Sequence, residues 1–341
     1  MMQAPGPKLR RTRASRWALA GITLCAAATA AEPEAAAAAA EPAAASPSAV
    51  AERAQAGSSP VLETSRRSVR AATEWMARGV DSWFGNRPFE EGGQVADGRL
   101  SVGLLKRQHE SLDTTVRFKV HLRLPNAERF GYLFIGRDDP RDVVTDTPTA
   151  LSNSQKLAPE RARQPSFLAG VGLSFRDVVD LRLGFRGGLK PYAQASTATA
   201  WKWGDGPAFD LRETVFWARE DRLGSTTALS VEQALSANLA LRWLSAATIT
   251  QAQPHVDWTS SLGAYQSFGQ QRLLSLELLV NGIQGSGVLF ADQGLQVKWE
   301  QPVYRNWLLL ELLAGHFWPR PDVLLARDSV WALGARLQMR F

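Results

Sequence analysis

Leu333-Gly334-Ala335-Arg336-Leu337-Gln338-Met339-Arg340-Phe341 ends the chain, and its odd-numbered residues are apolar while glycine, arginine and glutamine fall between them. Successive side chains of a β-strand point to opposite faces, so the stretch reads as a strand with one greasy face, one charged face and a terminal aromatic ring. Burying either face in a protein core would strand the arginines or expose the leucines. A sheet with hydrocarbon on one side and water on the other satisfies both.

Working outward from this strand, the two-residue period persists back to residue 94. Val116, Phe118, Val120, Leu122 and Leu124 alternate with Arg117, Lys119, His121 and Arg123. Leu181, Leu183 and Phe185 alternate with Asp180, Arg182 and Arg186, and Leu239, Leu241 and Trp243 oppose Arg242. Leu274, Leu276 and Leu278 oppose Ser275 and Glu277, while Leu295, Val297 and Trp299 oppose Gln296, Lys298 and Glu300. The segments fall at 99–107, 113–124, 129–137, 165–176, 178–187, 190–203, 208–219, 224–236, 238–251, 255–268, 271–283, 288–300, 306–317 and 329–341. This pattern predicts an all-β fold over 94–341, a transmembrane antiparallel up-and-down barrel of about fourteen strands. Twelve is the alternative, because Phe130 to Ile135 and Arg212 to Trp217 lack a clean split of faces.

An even count places both termini at one end, the periplasmic end in bacterial single-chain barrels. The segments 124–129, 176–178, 236–238, 269–271 and 302–306 then become periplasmic turns, and 138–164 and 319–328 external loops. A soluble sandwich also alternates, but it needs polar outer faces. Tryptophans near strand ends, such as Trp201, Trp217, Trp258, Trp299, Trp318 and Trp331, fit interfacial girdles better. No run after residue 30 reaches the roughly eighteen apolar residues of a helical span.

The head of the chain differs. Lys8, Arg10, Arg11, Arg13 and Arg16 precede an apolar stretch from Trp17 to Ala27 and the small residues Ala28-Thr29-Ala30, which predicts a secretory signal over 1–30. Those residues hold five of the 39 Lys+Arg and none of the 33 Asp+Glu, leaving 34 against 33. The overall +6 therefore belongs mostly to the signal, and a nucleic-acid partner is not expected. The one cysteine, Cys25, also falls there, so the rest of the chain has no thiol chemistry. Residues 31–59 are Ala, Pro and Glu in a composition that buries no core, and read as a flexible periplasmic linker. Over 60–86, Val69, Met76, Val80, Trp83 and Phe84 recur at helical spacing, predicting a short periplasmic amphipathic helix. It either plugs the barrel mouth, lies on the inner leaflet, or packs against the barrel base.

A terminal Phe on such a strand resembles the C-terminal signal of bacterial outer-membrane barrels. That resemblance implies that Leu333, Ala335, Leu337, Met339 and Phe341 are read by the barrel-assembly machinery. Val80-Asp81-Ser82-Trp83-Phe84-Gly85, Arg123-Leu124-Pro125-Asn126 and Gln301-Pro302-Val303-Tyr304-Arg305-Asn306-Trp307-Leu308 extend the likeness. In outline, residues 75–341 are similar to a group of proteobacterial outer-membrane β-barrel proteins of no assigned activity. The resemblance implies the cell outer membrane, with lipid and lipopolysaccharide around the barrel, and supplies no reaction.

Candidate chemistry is sparse. His109-Glu110-Ser111 spaces an imidazole and a hydroxyl as outer-membrane phospholipases do, but no orienting Asn or Asp falls at the same height. Asp138, Asp139, Asp142 and Asp146 in the long loop read as a solvated acidic segment rather than a cation site. Gly184-Phe185-Arg186-Gly187-Gly188 opens no helix, so it reads as a hairpin tip rather than a phosphate cradle. No cofactor, metal or enzyme activity is expected. What remains is the interior: Arg117, Lys119, His121, Arg123, Arg182, Arg186, Arg242, Glu277, Lys298, Glu311 and Arg336 are the lumen-lining candidates. More than about eight strands leave room for a lumen, so the pattern predicts a porin-like channel for small hydrophilic solutes with an Arg-rich passage. The alternatives are an enzyme modifying lipid or lipopolysaccharide, and a structural barrel with a filled lumen.

Overall fold

Apolar residues at every second place for ten or more residues dictate a wall wet on one side only, and closure of that wall removes its edges. The computed structural model describes residues 60–81, 93–123, 131–148, 150–151, 157, 165–175, 178–187, 189–204, 206–269, 271–285, 289–320, 324 and 326–341. The expected signal over 1–30, the linker over 31–59, Trp83 and Phe84 lie outside them. A helix, α1 (Pro60–Asp81), precedes β1 (Gln94–Arg107), β2 (Asp113–Arg123) and β3 (Tyr132–Asp138). A short helix α2 (Pro140–Val144) follows, then β4 (Ser166–Phe175), β5 (Val179–Arg186), β6 (Lys190–Lys202), β7 (Ala208–Ala218) and β8 (Arg222–Ala234). The remaining strands are β9 (Leu239–Thr250), β10 (Val256–Phe268), β11 (Arg272–Gln284), β12 (Asp292–Tyr304), β13 (Leu308–Phe317) and β14 (Val330–Arg340).

Each strand pairs antiparallel with the next, and β1 pairs with β14 to close a fourteen-stranded barrel. At the seam, Arg99 to Arg107 lie opposite Arg340 to Ala332. The strand near the end of the chain differs most from expectation: β12 runs from Asp292 through Pro302 to Tyr304 rather than over 288–300. Pro302 donates no ladder bond, and the register shifts between it and Tyr304, so the strand survives the proline as a bulge.

The outward face is the greasy one. Val102, Val116, Leu183, Leu276, Leu278, Leu312 and Leu333 are exposed there, as suits side chains solvated by hydrocarbon. Aromatic pairs mark both margins, with Trp201 stacked on Phe209 near the end holding the C terminus and Trp258 edge-on to Phe290 near the other. Hereafter these are the terminal end and the far end. Phe341 folds over the outer wall: its N–H donates to the Gly98 carbonyl at 3.0 Å and its ring stacks with Phe118 at 6.4 Å. A Cβ on residue 98 would stand 2.5 Å from that ring, so glycine makes the seat.

Helix α1 does not enter the barrel. Ala77 packs on Val120, Leu122 and Leu133, with Val95, Phe118, Ile135 and Phe341 around them, and all of these face outward by ladder register. Nearer its start, Glu63 pairs with Arg305 at 2.7 Å, and Arg66 donates to the Arg340 carbonyl and lies over the Trp307 ring. The helix therefore wraps the outside of the terminal end across the β14–β1–β2 seam. The described turns of α1 thus lie on the outer wall rather than in the barrel mouth; of the expected plug residues Val69, Met76, Val80, Trp83 and Phe84, the last two lie outside the described residues. The outer wall at Val120 and Leu122 is as greasy as the lipid belt, and a helix with an apolar stripe covers it as well as lipid does.

Candidate functional site

The lumen is divided along its length. In the far half, the described residues 139–148, 150–151 and 157 of the segment expected over 138–164 as an external loop fold inward instead. The loop places one apolar residue after another on the inner wall. Val144 is seated among Phe134, Leu168, Tyr192 and Phe216. Leu151 lies against Ala228, Leu244 and Ala246, and Leu157 against Leu279, Leu313, Phe317 and Ala332. These seats run round the barrel from β3 through β8 and β9 to β13 and β14, so Val144, Leu151 and Leu157 lie against different parts of the inner wall. Val144 and Leu151 are fully buried by it.

Ion pairs hold the segment down. Asp146 accepts from Arg182 at 3.3 Å and from Arg212 at 3.2 Å. Arg182 is itself positioned by the Tyr132 hydroxyl at 2.8 Å and Asp180 at 3.0 Å. At the far rim, buried Arg186 donates to Glu220 and Asp221, and Arg141 of α2 reaches Asp221 at 3.6 Å. Lys190 also bonds Glu220. That bond, with the charge of Arg186, holds the Glu220 carboxyl below its ordinary value. Asp139 caps α2 by accepting the Arg141 N–H at 3.0 Å.

The terminal half is arranged differently. Arg340, Arg99 and Lys119 face one another in one row across β14, β1 and β2, all inward. Asp97 neutralises Arg99 at 3.2 Å, whereas Lys119 and Arg340 have no carboxylate within 4 Å among the described residues. His121 and Arg123 continue the β2 column toward the terminal rim. Two strands away, Glu300 stands opposite Glu311, which pairs with Arg336 at 2.7 Å, while Lys298 holds Glu300 at 2.6 Å. Like charges directly opposite one another destabilise a sheet. The row Arg340, Arg99 and Lys119 therefore stands at a cost to the wall's own stability, while Glu300 and Glu311 are each neutralised by a cation beside them.

Of the sequence-predicted lining residues, Arg182 and Arg186 serve as anchors of the loop. Arg242 pairs with Glu232 at 2.7 Å and lies over the Tyr265 ring. Glu277 accepts from Tyr265 and Gln296. Arg117, at 3.9 Å from Asp138, joins Arg107 and Arg336 around a cavity of about 50 Å³ under Leu157. Sequence reading missed Arg99, Arg340, Arg107 and Arg212, although the parity of β1, β7 and β14 marks each of them as inward. His109 and Ser111 are exposed in the β1–β2 turn with no hydrogen bond between them among the described residues. Of the four loop aspartates, Asp139 caps α2 while Asp138 and Asp146 meet arginines, and the described residues hold no group of ligands for a metal ion.

The molecule is thus a closed transmembrane barrel with described residues of its β3–β4 segment seated on the inner wall. No family model and no curated protein matches the chain. Solved structures similar to it include an anion-selective porin from Comamonas acidovorans, at TM-score 0.42 and 9% identity, covering 73% of this chain and 100% of that one. OmpT, an outer-membrane protein of Vibrio cholerae folded in vitro, matches at 0.41 and 9%, covering 73% and 98%. A KdgM porin in complex with disordered oligogalacturonate matches at 0.35 and 7%, covering 71% and 99%. At such scores the likeness is one of barrel architecture alone.

Proposed function

We propose that the protein is an outer-membrane channel for small hydrophilic solutes, narrowed by its inward loop and favouring anions. The observation that carries this reading is the row Arg340, Arg99 and Lys119, where two cations have no carboxylate within 4 Å among the described residues. A purely structural wall gains from alternating charges across strands, by about 0.2 to 1 kcal/mol per pair, so sorting them forgoes stability that a solute path can use. Binding and passage, not bond-making, are its work.

A second reading, a structural barrel with a filled lumen, is favoured by Ser275 and Gln296, which face inward yet are almost completely buried. Planar-bilayer recording under a KCl gradient decides between them. The channel reading expects discrete conductance with a reversal potential on the anion side, and a shift toward cations in Lys119→Glu/Arg340→Glu. Silence from both the native protein and a variant with 141–160 replaced by a short Gly-Ser bridge would leave only the filled barrel.

A further inference from the structure

On the outer wall one residue contradicts the lipid belt. Glu213 faces outward on β7, between Leu211 and Val215, with Phe209 and Trp217 at the two margins of the same face. Four residues separate it from each aromatic, about 13 Å of strand, so it stands near the middle of a band about 25 Å tall. Ionisable groups at such depth are expensive and mark function more often than tolerance. Among the described residues, the other outward charges sit toward strand ends: Lys106, Arg137 and Arg272.

The surroundings of Glu213 are built for it. The Ser225 hydroxyl donates to one carboxylate oxygen and the Thr227 hydroxyl to the other at 2.6 Å, both from the outer face of β8. Thr197 of β6 stands opposite on the same ladder row, which continues through Thr227 to Ala247. One row farther, Ala195 and Ser225 flank Val215, with Ile249 beyond. The single row Thr197, Glu213, Thr227 and Ala247 is therefore short and polar where the rows beside it carry Leu211, Leu229, Val215 and Ile249. Hydrocarbon gains nothing from such a face, whereas a protein surface does.

We propose that this face of β6–β9 is where a second copy of the chain docks. Copies inserted by one route share one orientation, so their symmetry axis stands along the membrane normal and each residue meets the partner's residues of equal height. Glu213 then meets the partner's Thr197 at its own level, because Thr197 occupies its ladder row while Ser225 and Thr227 already donate to Glu213 within the chain. The carboxyl gains a further donor that lipid lacks, and the small side chains of this row let two walls approach closely, as small residues do between helices in membranes. The inference does not depend on whether the lumen conducts.

Oxidative cross-linking in native membranes tests it, with Cys25→Ser as background. Ala195→Cys is expected to give a product of twice the chain mass, and Val102→Cys, on the other side of the barrel, to remain single. Adding Glu213→Leu or Thr197→Trp should reduce the Ala195→Cys product severalfold while the strand circular dichroism stays unchanged. A monomer at Ala195→Cys, a product of any other mass, or a yield indifferent to both added variants would overturn the proposal.

Discussion

The two halves of the lumen use the same residue types to opposite ends. In the far half every arginine of the loop's anchorage meets a carboxylate: Arg182 and Arg212 on Asp146, Arg186 and Arg141 on Asp221. In the terminal half Lys119 and Arg340 meet none within 4 Å among the described residues, and they flank a third cation. Matched charge fixes a loop in place; unmatched charge is what the proposed channel would offer a solute. The difference teaches that an arginine-rich lumen is not one site but two, distinguished by partners rather than by composition.

The sharpest way to break this comparison is to remove one cation from each half. Arg182→Ala leaves Asp146 and Asp180 short of their partner in a mostly buried setting, and is expected to cost on the order of 3 kcal/mol. Lys119→Ala should cost nothing measurable, since it removes a like-charge contact. Urea unfolding in lipid vesicles reads both, and equal losses would erase the distinction. A smaller effect is expected from Leu151→Ala, about 2 kcal/mol, the low end for such truncations because the loop can settle onto Ala228 and Ala246. Its readout is faster trypsin cleavage after Arg141 together with noisier conductance; an unchanged cleavage rate would mean that the apolar seats do not hold the loop.

How much of this was legible beforehand follows from the physics of each part. The faces of β2, β5, β11 and β14 were plain, because lipid and water impose opposite demands on alternate residues. The blurred faces of β7 have a cause: Glu213 and Thr214 put polar side chains on both sides, one toward lipid and one inward. The inward course of the described residues of 139–157 was hidden because Val144, Leu151 and Leu157 are too far apart in sequence to form any periodic signal, while the aspartates before and among them, Asp139, Asp142 and Asp146, suggest solvent. The position of α1 was equally ambiguous, since an apolar helical stripe fits a lumen, a leaflet or an outer wall alike. Arg99 and Arg340 went unnoticed at the strand ends, where parity is read least securely.

A gentler test bears on selectivity. Lys119→Gln keeps length and polarity while removing one charge from the row with Arg99. Relief of the opposed cations should raise stability by at most about 0.5 kcal/mol, and the reversal potential should move toward neutrality. A reversal potential that does not move would return the row to a purely structural role.

The smallest effect concerns pH at the far rim. The carboxyl of Glu220 titrates below its ordinary value because Lys190 and Arg186 favour its charged form. A carboxylate whose pKa is depressed by folding contributes stability above its unfolded pKa, and the contribution disappears as pH falls through the lower, folded value. The rim clasp is therefore complete at neutral pH and loosens only in acid, below the usual carboxylate range. Because Glu220 is half exposed, salt screens the interaction, and Asp221 keeps Arg186 and Arg141 engaged after Glu220 is protonated. Acid should thus make the loop flicker in single-channel traces without releasing it, and Glu220→Gln should show the same flicker at neutral pH. A native protein whose traces stay quiet through that range would place the hold of the loop entirely on Asp146 and the apolar seats below it.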